Sequence, residues 1–190
     1  GAAFNGSPGQ PDPAPVVIPP VLINEALSHP IPPQPDAIEL FNPNPTAVEL
    51  AGWFLTDDFG TPRKYVFPPG SRIEPGQYLV VEATQFDAGG PGAFGLSSLG
   101  EEVWLFSGDG TNPTGFAHGF GFDAAAAGET FGRYVTSTGV ERFVRQSEPT
   151  LGARNRGPRN GPVVLSEIMF NPPPLAGYNN TLDEFIELAN

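Results

Sequence analysis

Proline and glycine interrupt this chain so often that few of its segments could hold a helix. It has 24 of each in 190 residues, and proline breaks helix interiors while glycine weakens them. Such a load by itself suits a disordered chain. The 15 Phe, 2 Trp and 4 Tyr, within 39% apolar residues, do not, because disordered chains lack the apolar surface to offset ordering entropy. Both facts are met by short apolar strands punctuated by turns. No run of 18 apolar residues occurs, so no membrane span is expected.

The turn signals divide the chain accordingly. Residues 1–20 carry six prolines and one charge and read as an extended linker. Strands are expected at 21–26, 37–42, 48–50, 52–57, 63–67, 77–83, 102–107, 115–122, 133–137 and 141–146. Between them lie the Pro-rich loop 28–36 and the turn sequences 58–62, 68–76, 107–112 and 137–139. Apolar and polar residues alternate in several strands, with Ile23 against Asn24 and Val81 against Glu82. Many short strands at this spacing mean an all-β sandwich or barrel. The run AAAA (124–127) is too short to nucleate a helix and reads as a turn or a small-residue packing site.

The chain also repeats itself. VVLSEIMFNPPP…DEFIELAN (163–190) echoes VLINEALSHPIPP…DAIELFN (21–42), aligning Glu25 with Glu167, Glu39 with Glu187 and Asn42 with Asn190. A period this long means tandem domains, not a solenoid. The expected organisation is a linker (1–20), a complete domain (21–155), a linker (156–162) and the first two strands of a second domain (163–190). Two strands cannot bury their own apolar residues. They are expected to add to a sheet edge or pack on the complete domain. That domain could belong to the same chain or to a neighbour, the latter giving a strand-exchanged homodimer.

Residues 21–155 resemble the bacterial form of the lamin tail domain family. The resemblance rests on INEA (23–26), IELFNP (38–43), VELAGWFLTD (48–57), FPPGSRIEPGQYLVV (67–81), FGLSSLGEEVWLFSGDGT (94–111) and the closing EPTLGARN (148–155), where Leu151 stands in place of the usual Pro. It implies an immunoglobulin-like β-sandwich with Pro-rich linkers. It also implies a non-catalytic accessory module of bacterial surface or secreted proteins, and it carries over no active site.

Charge and motifs narrow the function classes. With 21 acidic residues against 9 basic, the net charge is −12, which disfavours nucleic acid as a partner. Six arginines nevertheless cluster at 133–159 (Arg133, Arg142, Arg145, Arg154, Arg156, Arg159), either a solvated linker and strand edge or a docking patch for an acidic partner. No cysteine is present, so disulfides, thiolate metal sites and cysteine nucleophiles are excluded. The chain begins at Gly1 without Met or signal peptide, so it reads as a piece of a longer protein whose targeting information lies elsewhere.

The chemistry-bearing residues each have two readings. Glu25 and Glu39 sit inside apolar strands, where an ionised carboxylate must be paired or hydrogen-bonded. They are either structural or the start of a Ca²⁺ site, which would need more oxygen ligands than the sequence offers. Asp57, Asp58 and Asp109 lie at turns, as do Asn24, Asn42 and Asn44 by the same argument, and read as turn chemistry before metal ligands. Trp53, Trp104, Phe116, His118 and Phe120 read as core, or as an interaction surface for sugar or peptide. No HExxH, GxSxG or phosphate-loop pattern accompanies His29 and His118. No enzyme and no cofactor is expected. The leading expectation is an extracellular interaction or spacer module whose partner is a protein or cell-surface polymer. The alternative is a carbohydrate-binding module serving a secreted hydrolase.

Overall fold

The computed structural model describes residues 17–170, 172 and 184–190. Most of the first linker, and the loop of the second copy, fall outside this range.

Two antiparallel sheets face one another as a sandwich, as the strand spacing requires. The first holds β1 (Leu22–Leu27), β2 (Ala37–Phe41), β7 (Tyr78–Glu82), β10 (Phe131–Val135) and β11 (Glu141–Arg145), in the order β11-β10-β1-β2-β7. The second holds β4 (Phe54–Thr56), β5 (Tyr65–Val66), β8 (Gly100–Gly108) and β9 (Pro113–Asp123), in the order β5-β4-β8-β9. A short ladder of β3 (Val48–Glu49) with β6 (Arg72–Ile73) sits beside them. The core between the sheets contains Ile23, Ala26, Ile38, Leu40 and Val81 from one side and Leu55, Val103, Leu105, Phe120 and Phe122 from the other.

A β-bulge between Ile23 and Glu25 breaks the alternation of β1. A bulge leaves one residue unopposed and re-aims its neighbours. Ile23 and Ala26 thus both reach the core, while Asn24 and Glu25 turn to the opposite face. Trp104 lies over Gly119, its cross-strand partner, where a Cβ would meet the indole ring at 2.5 Å. Residue 119 is therefore glycine because an aromatic ring occupies its side-chain space.

Two local expectations need correction. The run 77–83 does not stay extended: its end turns into a one-turn helix, α1 (Ala83–Phe86), closed by a reciprocal capping box between Glu82 and Gln85. That turn buries Phe86, stacked on Phe94 with ring centroids 4.7 Å apart. The stretch 68–76 is not all turn, since Arg72–Ile73 pairs with Val48–Glu49 and buries Ile73. Within the chain, the second-copy hairpin of β12 (Val164–Met169) and β13 (Phe185–Ala189) forms a two-stranded sheet of its own and pairs with no strand of its own sandwich. Its apolar side chains Leu165, Ile168, Phe185 and Ile186 stay exposed. Like β1 and β2, it opposes two glutamates, Glu167 and Glu187.

Candidate functional site

The unusual chemistry lies on the outer face of the five-stranded sheet. Glu25 and Glu39 are register partners there, and neither has solvent-exposed surface. Two ionised carboxylates so placed repel each other and lose hydration, so they need donors close at hand. The closing run EPTLGARN supplies most of them by crossing this face as a strap. Thr150 donates its backbone N–H to Glu25 Oε1 at 2.9 Å and its hydroxyl to Oε2 at 2.6 Å. Gly152 N–H donates to Glu39 Oε2, and Asn24 Nδ2 donates to Oε1 at 2.7 Å. Asn155 fastens the strap by donating to the carbonyls of Asn24 and Arg133 at 3.0 and 2.9 Å. Burial still wins at Glu39: desolvation, aided by the nearby Glu25, pushes its pKa up to about 7 against the hydrogen bonds from Asn24 and Gly152.

No group of three or more His, Asp or Glu suited to a metal ion occurs among the described residues. The Glu25–Glu39 pair is held by amide and hydroxyl donors instead. Asp58 accepts from Gly60 N–H at 2.8 Å, and Asp109 accepts from Thr111 and Asn112 N–H at 2.8 and 2.7 Å. The Thr61 side chain and then the Gly60 N–H lower the Asp58 pKa, and the Asn112 and Thr111 N–H groups lower that of Asp109, as expected of turn caps. Asp57 pairs with Lys64. Asn42 is buried and ties the carbonyls of Thr46 and Ile73, each at 2.9 Å, while Asn44 donates to it. His29 Nδ1–H donates to the Ala125 carbonyl at 2.9 Å, which joins the Pro-rich loop to the alanine run.

The five aromatic and histidine positions do not form one surface. Trp53 and Phe120 are buried in the core, so they offer nothing to a ligand. Phe116 is half-buried against Trp53, and Phe120 stacks on Phe143 with centroids 3.7 Å apart. His118 Nδ1 accepts the Ile23 N–H at 3.0 Å, which places its proton on Nε2, facing Glu141 at 3.3 Å. Burial lowers the His118 pKa, with Glu141 opposing and Arg133 assisting. Trp104 faces outward, half-covered by Gly119 and by the exposed Phe59, whose ring meets it edge-on at 4.8 Å. Of the five, only Trp104 has an aromatic ring turned to the outside of the sandwich.

Beside the strap runs a groove of about 380 Å³, lined among others by Asn24, Phe41, Tyr78, Arg133, Arg154 and Arg156. Phe41 and Tyr78 stack across β2 and β7 with centroids 4.9 Å apart. The sequence separates these residues by up to 132 positions, and nothing in it groups the aromatics with the arginines. One available signal concerned the strap: glutamates in apolar strands demand donors, and TLGARN is rich in them.

The arginine cluster itself is divided. Arg145 and Arg159 both pair with Glu129, and Arg145 also donates to the Ala124 carbonyl. Arg133 pairs with Glu141, and Arg156 with Glu148. Arg154 makes no ion pair among the described residues.

The family model described as Lamin Tail Domain matches residues 15–118, more than half of the chain. No curated protein and no solved structure matches it.

Proposed function

The chain belongs to the lamin tail domain family, an immunoglobulin-like family of interaction modules, and from that premise we propose that it is a non-catalytic interaction and spacer module carried in tandem within a larger secreted or cell-surface bacterial protein. One observation carries the tandem reading. Hairpin β12–β13 repeats the register of β1–β2 down to the bulge, with Glu167 opposite Glu187 as Glu25 is opposite Glu39. The non-catalytic reading is supported by access. Glu39 and His118, whose pKa values burial shifts, are spent on internal hydrogen bonds beneath the strap and between the sheets. The test is to locate the full-length parent by cell fractionation. Surface or medium localisation supports the reading, and an entirely cytosolic parent overturns its extracellular part.

A second reading, a carbohydrate-binding accessory module, is favoured by the groove of arginines and stacked aromatics at Phe41 and Tyr78. Binding to a glycan panel, compared with binding to proteins from the same surface, separates the two.

A further inference from the structure

We propose that the groove beside the strap binds an anionic saccharide, a sugar ring carrying a carboxylate. The proposal rests on the second, carbohydrate-binding reading and names the ligand class of that groove.

Three arginines, Arg133, Arg154 and Arg156, line one groove of a chain whose net charge is −12. One of them keeps its donor capacity in reserve: Arg154 has no ion pair among the described residues, whereas Arg133 pairs with Glu141 and Arg156 with Glu148. Guanidinium forks match carboxylates in a bidentate geometry. The acidity of the rest of the surface repels long, densely charged polyanions, so an isolated carboxylate fits better than a nucleic acid.

The rings select among carboxylates. Phe41 and Tyr78 form one wall as a stacked pair, and Tyr134 contributes another ring. Arg133 and Arg154 line the same groove as these rings. A uronate or sialate presents a carboxylate fixed to a rigid ring with an apolar C–H face, which gives both elements a counterpart. An acidic peptide side chain brings the carboxylate on a flexible stem and leaves the aromatic wall unused. The groove's volume of about 380 Å³ lies within the range of small-ligand clefts.

The test is calorimetric titration of the whole chain with uronate and sialate oligosaccharides, with the same oligosaccharides as methyl esters, and with a polyglutamate peptide. Binding of an acidic oligosaccharide is expected. Esterification and Arg154→Ala should each weaken it by about tenfold, Tyr78→Ala by a similar factor, and Arg154→Lys should recover only part of the loss. Circular dichroism melts report whether the variants remain folded. Equal binding of the esters, or preference for the peptide, overturns the proposal, and so does silence from every acidic oligosaccharide. Saccharide binding that survives both Arg154→Ala and Tyr78→Ala overturns the groove while leaving the module reading intact.

Discussion

Glu25 and Glu39 stand directly opposite each other across β1 and β2, fully buried, and each turns its carboxylate to a different residue of one strap. Like charges opposed across a strand pair destabilise a sheet. Here the strap offsets that cost with hydrogen bonds to both carboxyls, and the raised pKa of Glu39 relieves it further. The pair and the closing run are one unit, although 125 residues separate Glu25 from Thr150.

Thr150→Val removes the hydroxyl at Glu25 Oε2 and keeps the side-chain volume. A buried acceptor that loses its donor costs about 1–3 kcal/mol. Urea denaturation should show that loss as a lower midpoint with an unchanged slope. An unaltered midpoint would mean that the strap does not hold the pair.

The raised pKa of Glu39 sets one pH dependence. Its carboxyl holds a proton up to about pH 7 in the folded chain, against a usual value of 4.5. The stabilisation is complete below that usual value and is lost as pH rises through about 7, with a ceiling of roughly 3 kcal/mol. Glu39→Gln mimics the neutral acid and should flatten stability between pH 5 and 8. A variant that retains the wild-type slope would sink this assignment.

His118 works in the other direction. Burial lowers its pKa from 6.5, and protonation would remove the Nδ1 acceptor for the Ile23 N–H. Its contribution is present above the unfolded value and is lost as pH falls through the depressed one. NMR titration should find the His118 ring neutral at pH 6.5. His118→Phe should cost about 1–3 kcal/mol through the orphaned amide.

Gly119→Val tests the cross-strand packing of the four-stranded sheet. The added Cβ would meet the Val103 carbonyl oxygen at 2.3 Å and the Trp104 ring at 2.5 Å. Overpacking of this kind typically costs about 1–3 kcal/mol. Trp104 fluorescence should shift as the ring is displaced, together with a lower melting temperature.

Removal of residues 163–190 should leave the sandwich intact. The hairpin forms its own two-stranded sheet and keeps its apolar residues exposed. The melting temperature should change by less than about 2 °C, because no core burial is lost. In the whole chain, amides of β12 and β13 should exchange far faster than those of β1 and β2, since lone hairpins are marginal in water. Equal protection in the two hairpins would show that the second is covered.

Local pattern made much of the fold legible. Ile23, Leu40, Val81 and Leu105 announce strands by alternation, and SGDGT at 107–111 announces the turn whose Asp109 caps two amides. The echo of Glu25 and Glu39 in Glu167 and Glu187 was also plain in the sequence, and the two hairpins share one register. Helix α1 was not legible, because ATQF continues an apolar strand and only its capping box and the stacking of Phe86 on Phe94 bend it. The ladder at Arg72–Ile73 was hidden by the prolines and glycines around it.

By itself the sequence determined the strands, the turns and the repeat, because these follow from backbone preferences and side-chain periodicity acting over a few residues. Only the tertiary structure decided what the polar residues do. The strap brings Thr150 and Gly152 onto Glu25 and Glu39, the facing sheets bury Trp53 and Phe120, and β2, β7 and β10 bring Phe41 and Tyr78 beside Arg133. Those outcomes depend on desolvation and on partners far apart in the chain, and local pattern carries no information about either.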